Sequence, residues 1–145
     1  MKILLIDNGS SFLQELRHLL HSHEITVMGF PFVPELLAKR AAGVKVIVFS
    51  GEAIPAGIEL PYKSAVLEAF CQLSTPVCAI GYGGALFLEA HGAKIKIANG
   101  EYQIKKNPPG WKIEDGVWHD EQGNTVVFDP QPDWKKVVET FLMNY

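Results

Sequence analysis

A chain of 145 residues, 48% hydrophobic and 20% charged, has the length of one domain and can enclose a core without disulfides or metals. Apolar runs such as Val77 to Ile80 stop far short of the roughly 20 residues a membrane span needs, and the stretch after Met1-Lys2 has neither the length nor the cleavage site of a signal peptide. A formal charge of −3, a pI near 5.9 and no Lys/Arg run longer than Lys105-Lys106 or Lys135-Lys136 argue against nucleic acid and membrane as partners.

One domain over residues 1–145 is therefore expected. Cys71 and Cys78 lie in apolar stretches without CxxC spacing, the usage of reduced, buried thiols, which points to the cytoplasm.

The first half alternates β-rich apolar runs with segments of helical period, the signature of a parallel sheet covered by helices. Lys2 to Ile6 reads as a strand, followed by a helix carrying Phe12, Leu13, Leu16, Leu19 and Leu20, with Ser10 or Ser11 as its cap. Ile25 to Met28 reads as a second strand and Pro34 to Ala42 as a short helix stopped by Gly43. Val44 to Phe49 is a third strand, buried on both faces, and Tyr62 to Leu73 a helix with Ala65, Val66, Ala69, Phe70 and Leu73 on one side. Pro76 to Ile80 is a fourth strand. A glycine-rich turn, Gly81-Tyr82-Gly83-Gly84, is expected to lead into a helix from Ala85 to His91, which Gly92 ends.

The texture then changes. Asn99-Gly100, Asn107-Pro108-Pro109-Gly110, Asp115-Gly116 and Gln122-Gly123-Asn124 are turn signals between the short runs Ala93 to Ile97, Glu101 to Lys105 and Thr125 to Phe128. They predict hairpins and then a return strand. Asp133 to Met143 closes the chain as an amphipathic helix opening after Pro132.

In an open α/β sheet ligands bind at the carboxyl ends of the strands. Those ends carry Asp7-Asn8-Gly9-Ser10-Ser11-Phe12, Ser50-Gly51-Glu52-Ala53, Gly81-Tyr82-Gly83-Gly84 and Asp129-Pro130-Gln131. In that order, the four segments resemble class I glutamine amidotransferases, in particular the glutaminase subunits of anthranilate and aminodeoxychorismate synthases. Leu4 to Phe12 resembles the start of those subunits, and Ser50-Gly51-Glu52 falls where the family has its glycine-rich oxyanion loop. Thr75 to Ala85 resembles the nucleophile elbow, a strand ending in Gly-Ile-Cys-x-Gly-His-Gln, with Leu86 to Ile95 continuing it. Val127-Phe128-Asp129-Pro130-Gln131 resembles the late His-Pro-Glu. Residues 97 to 124 form a shorter middle segment than the family's and match it poorly.

The resemblance implies a three-layer α/β/α, flavodoxin-like open sheet, mostly parallel, with a small hairpin insertion. It also implies where a glutaminase triad would stand, and each position departs from the pattern. Gly81 occupies the place of the nucleophilic Cys, Asp129 that of the base His, and Gln131 that of the orienting Glu. Glu52 stands where the oxyanion loop needs a glycine, and its carboxylate would oppose a developing oxyanion. Gly84 and Ala85 replace the His and Gln beyond the elbow. No catalytic residue, cofactor or metal is expected. A partner protein, such as a synthase-like subunit, or a small molecule is the expected binding target, at a crevice formed by Asp7, Ser50, Gly51, Glu52, Tyr82, Gly83 and Asp129. The alternative is a hydrolase or other enzyme using Glu52 or Asp129 as acid or base in the same crevice. A nucleotide-binding module is disfavoured, because Gly81 to Gly84 does not form GxGxxG.

Other residues of chemical interest have simpler explanations. Cys78 and Cys71 are expected to pack as small hydrophobes. His18, His21 and His23 cluster at a helix end, where imidazoles suit the dipole better than zinc without a fourth ligand. His119, before Asp120-Glu121, fits a turn-flanking surface residue. Trp111, Trp118, Trp134 and Tyr102 suit either a core or an aromatic contact face.

Overall fold

The computed structural model describes residues 1–7, 13–29, 32–51, 60–98, 101–127 and 133–145. Strand β1 (Lys2–Asp7) is followed by α1 (Leu13–Leu19), β2 (Glu24–Gly29), α2 (Pro34–Ala41), β3 (Val46–Gly51), α3 (Leu60–Cys71), β4 (Val77–Gly81) and α4 (Tyr82–Ala90). Then come β5 (Lys94–Ala98), β6 (Glu101–Lys106), β7 (Lys112–Glu114), β8 (Val117–His119), β9 (Thr125–Val127) and α5 (Trp134–Met143).

Seven strands form one sheet in the order β2-β1-β3-β4-β9-β8-β7, and β5 and β6 pair separately. The run from β2 to β9 is parallel, while β8 is antiparallel to both β9 and β7. Because successive side chains of a strand point to opposite faces, a parallel sheet sandwiched between helices needs apolar residues at every position. Ile3, Leu4, Leu5 and Ile6 satisfy this on β1 and Val46 to Phe49 on β3, all with no exposed surface. Leu4, Ile6, Ile47, Phe49, Val77 and Ala79 pack with Leu37, Val66, Phe70 and Phe87 on one face. Ile3, Leu5, Val46, Val48, Cys78 and Ile80 pack with Leu16, Leu20, Val138 and Phe141 on the other. The result is the expected three-layer, mostly parallel α/β fold.

The core is held in place at its polar margins. Asn124 Oδ1 accepts the Val77 N–H at 2.8 Å, fixing the start of β9 beside the start of β4. Asp120 orients that amide: its carboxylate accepts the Asn124 N–H at 2.8 Å and the Asn124 side-chain amide at 2.7 Å. On the opposite edge, Tyr62 at the start of α3 takes the Phe32 N–H at 2.8 Å and donates to the Phe32 carbonyl, tying the segment before α2 to α3. Gly92 closes α4 as anticipated. With φ of +102° it lets the Ala93 N–H reach the Leu88 carbonyl and its own N–H reach Glu89, a Schellman closure.

Several expectations need correction. The segment Tyr82-Gly83-Gly84 belongs to α4, not to a preceding turn, because Gly81 alone completes the reversal. Strand β3 runs on through Ser50 and Gly51, whose registry with β4 extends the ladder two residues. Strands β7 and β8, joined by Asp115 and Gly116 with φ of +51° and +78° in a primed-type turn, were signalled only by that dipeptide. Cys71 is exposed, not packed in the core: it follows the buried Phe70 on α3, and one residue along a helix turns the side chain about 100° away. Trp118 and Trp134 are core residues. The Ser10/Ser11 cap, and Pro132 before α5, lie outside the described residues.

Gly83 and Gly84 let α4 lie directly on the sheet. A Cβ on Gly83 would overlap the Phe49 ring, and one on Gly84 would stand 2.6 Å from Val126 Cγ1. Gly84→Ala should therefore destabilise the protein by about 1–3 kcal/mol despite the higher helix propensity of alanine. Urea unfolding of the two proteins measures this, and a stabilised variant would contradict the close approach.

Candidate functional site

The site is built by the registry of three strands at their carboxyl ends. Asp7 pairs with Ser50, Ser50 with Ile80, and Gly51 with Gly81. Four positions separated by up to 74 residues in sequence thus share one edge of the sheet.

At its centre the chain leaves β4 and enters α4 within one residue. Gly81 has φ of +68° and ψ of −138°, a conformation essentially confined to glycine unless surrounding structure enforces it. A sharp strand-to-helix turn of this kind is the backbone form of a nucleophile elbow, which lifts a side chain above the sheet at a helix N-terminus. Here the residue at the elbow has no side chain. Gly83, two residues on, lies against Phe49.

Ser50 is fully buried, on the face of Val46 and Val48, and its Oγ has no hydrogen-bond partner among the described residues. Asp7 is half-buried at the end of β1. The last described residue of β9, Val127, pairs with Ile80, so the chain leaves β9 alongside the elbow. Glu52, Asp129 and Gln131 lie outside the described residues, as does the side chain of Tyr82, so of the expected crevice the registry brings together Asp7, Ser50 and Gly51, beside Gly81, with Gly83 following in α4.

The remaining reactive groups stand away from this edge. Cys78, three residues before the elbow, points into the core between β3 and β9, and burial pushes its thiol up to about 12. It is protonated at neutral pH and cannot serve as a displaced nucleophile. His21 Nδ1 donates to the His18 carbonyl at 2.7 Å and its ring stacks on that of His18 with centroids 5.6 Å apart, while His23 Nδ1 accepts from the N-terminal ammonium at 3.3 Å. Among the described residues no group of three or more His, Cys, Asp or Glu is arranged to hold a metal. His119 is exposed at the end of β8, 3.4 Å from Thr125 Oγ1.

At the opposite, amino-terminal end of the sheet lies an open cleft of about 380 Å³ whose walls include Cys71, His91, Trp111 and Asp120. Sequence reasoning passed over His91, which sits at the end of α4 with ring centroids 4.7 Å from Phe87 and 5.4 Å from Trp111. Its only signal in the sequence was its place before the helix-ending Gly92.

Against this geometry, no protein-family model and no curated protein matches the sequence. Solved structures match the fold. A protein from Thermoplasma acidophilum assigned as one of the subunits of GMP synthase superposes with a TM-score of 0.71 at 12% identity, over 97% of this chain and 92% of its own. A protein from Bacteroides thetaiotaomicron assigned as protease I gives 0.64 at 13% identity over 98% of each chain. A glutamine amidotransferase from Thermotoga maritima gives 0.54 at 8% identity, over 88% of this chain and 74% of its own. The likeness is one of fold, and that fold is class I glutamine amidotransferase-like. Among the described residues no helix is long and apolar enough to cross a membrane.

Burial lowers the pKa of His91, and the nearby Asp120 offsets this only in part. Its folded value thus lies below the unfolded value of about 6.5. The unfolded state then binds more protons in the window between the two, so this contribution to stability is present above about pH 6.5 and is lost as the pH falls through that window. Unfolding free energy measured across that range should fall more steeply for the native protein than for His91→Gln. Parallel curves would contradict the assigned shift.

Proposed function

We propose that this chain is a glutamine amidotransferase-like protein without glutaminase activity, acting as a binding or partner-docking module. The observation that carries the reading is Gly81. The backbone at the β4–α4 junction has the elbow conformation, in the fold to which a nucleophile elbow belongs, yet the residue there supplies no atom that could attack a carboxamide. Covalent amide hydrolysis of this type needs a thiolate to form a thioester and expel ammonia. A glycine can do neither.

Two further features of the sequence agree. Asp129 and Gln131, in place of a base His and an orienting Glu, would have no thiol to activate and no imidazole to orient. Glu52, following Gly51 at the oxyanion position, would set negative charge where the reaction develops it. The nearest thiol in sequence, Cys78, is held neutral within the core.

Docking is the role that such a chain can keep. One structural relative carries the name of a GMP synthase component, one part of a larger assembly, which supports a second protein as the partner here. The elbow backbone and the shared strand ends support this edge as the place where a small ligand or a partner segment would bind.

The test is ammonia release from glutamine by the purified protein, with an authentic class I glutaminase in parallel. No ammonia above the buffer rate is expected at any pH from 6 to 9, a range spanning the about 8.5 of an ordinary thiol. Release that scales with the amount of this protein would overturn the reading.

A further inference from the structure

We infer that the outward face of the β5–β6 hairpin is a docking surface for an acidic segment of a partner protein. This gives the docking reading above a surface, and it rests on that reading for the partner being a protein.

The hairpin concentrates charge that the linear sequence spreads out. Ile95 and Ile104 pair across it and pack on the core, so Lys94, Lys96 and Lys105 point away, and Lys106 joins them through the irregularity between Lys94 and Ile95. All four lysines are exposed. The span from Lys94 to Lys106 holds these four with a single acidic residue, Glu101, a formal charge of +3, while the rest of the chain holds nine basic and fifteen acidic residues, −6. The protein is strongly dipolar, with its positive charge gathered on a two-stranded sheet outside the main one.

The arrangement is unfavourable for the isolated protein. Lys94 stands directly opposite Lys106, and like charges at facing positions destabilise a strand pair. Among the described residues the ion pairs join Lys63 with Glu89 and Lys135 with Glu15, and neither involves a hairpin lysine. Lysines on exposed strands also discourage edge-to-edge association. Alternating lysine and glutamate would do that equally well and would gain a cross-strand attraction, so four lysines with no carboxylate among the described side chains of this face call for an opposite charge from outside.

Carboxylates fit this face better than polyphosphate. The hairpin has no arginine, the residue suited to forked phosphate contacts. A long polyanion extending past the hairpin would meet the −6 of the remaining chain, whereas a short acidic segment would not. Complementary charge of this kind chiefly sets the association rate and its dependence on salt.

Anisotropy of a fluorescein-labelled decaglutamate peptide titrated with the intact protein tests the inference. Binding should weaken as salt rises. The variant K94E/K96E/K105E/K106E, which keeps the strands charged, should bind roughly tenfold or more weakly. K39E/R40E, on α2, which is not among the elements packed on the hairpin, should bind within about twofold of the native protein. If the fourfold variant does not fold by circular dichroism, K94Q/K106Q serves instead, with an intermediate loss. Unchanged binding on charge reversal, an equal loss in K39E/R40E, or tighter binding of a length-matched single-stranded oligonucleotide than of the peptide would each overturn it. Ammonia release by the native chain would leave these results untouched, so failure of the glutaminase reading is distinguishable from failure of this one.

Discussion

The reversal at Gly81 is the constraint on which the rest of the site depends. A buried strand must become a helix lying on the same sheet, and the whole change of direction falls on one residue with φ of +68°. Had the reversal been spread over several residues, α4 would begin farther from the sheet. Instead it starts at once, and Gly83 and Gly84 are pressed against Phe49 and Val126. The same closeness brings Phe87 onto Phe70 in the core, with centroids 5.7 Å apart, and sends the end of α4 to His91 and Trp111 at the far side of the sheet.

An elbow is strained when a side chain occupies it, because L-residues avoid that conformation, and a catalytic fold holds the strain in order to present a nucleophile. With glycine in place the strain is relieved, and on the reading proposed here the chemistry is lost with it. The geometry persists because the packing around it demands the same turn, so preservation of an elbow backbone is no measure of activity. On that reading the fold and the chemistry separate most plainly at this position.

Much of the architecture was legible in the sequence because parallel strands buried on both faces read as unbroken apolar runs, as in Ile3 to Ile6 and Val46 to Phe49. The shared edge of Asp7, Ser50, Gly51 and Gly81 followed from the rule that ligands gather at strand ends. What was missed has physical causes. Tyr82-Gly83-Gly84 reads as a loop by propensity, yet it opens α4, where the absence of side chains on Gly83 and Gly84 lets the helix lie close to Phe49 and Val126. β7 and β8 have three residues each, too few to show a period. Lys94 and Lys106 stand at opposite ends of their segment of sequence, and cross-strand pairing places them face to face. Glu52, Asp129 and Gln131 fall outside the described residues, so the departures at those positions rest on sequence.

The most direct test of the central claim asks whether position 81 is an elbow that lacks only its nucleophile. In a Cys71→Ser background, Gly81→Cys would place a thiol at the N-terminus of α4, where the helix field lowers thiol pKa values. The rate of alkylation by iodoacetamide at neutral pH, with the modified residue identified by mass spectrometry, reports on it. The account predicts modification of the new thiol faster than of an ordinary exposed cysteine, with Cys78 untouched. A thiol at position 81 as unreactive as Cys78 would place it in the core and contradict the elbow.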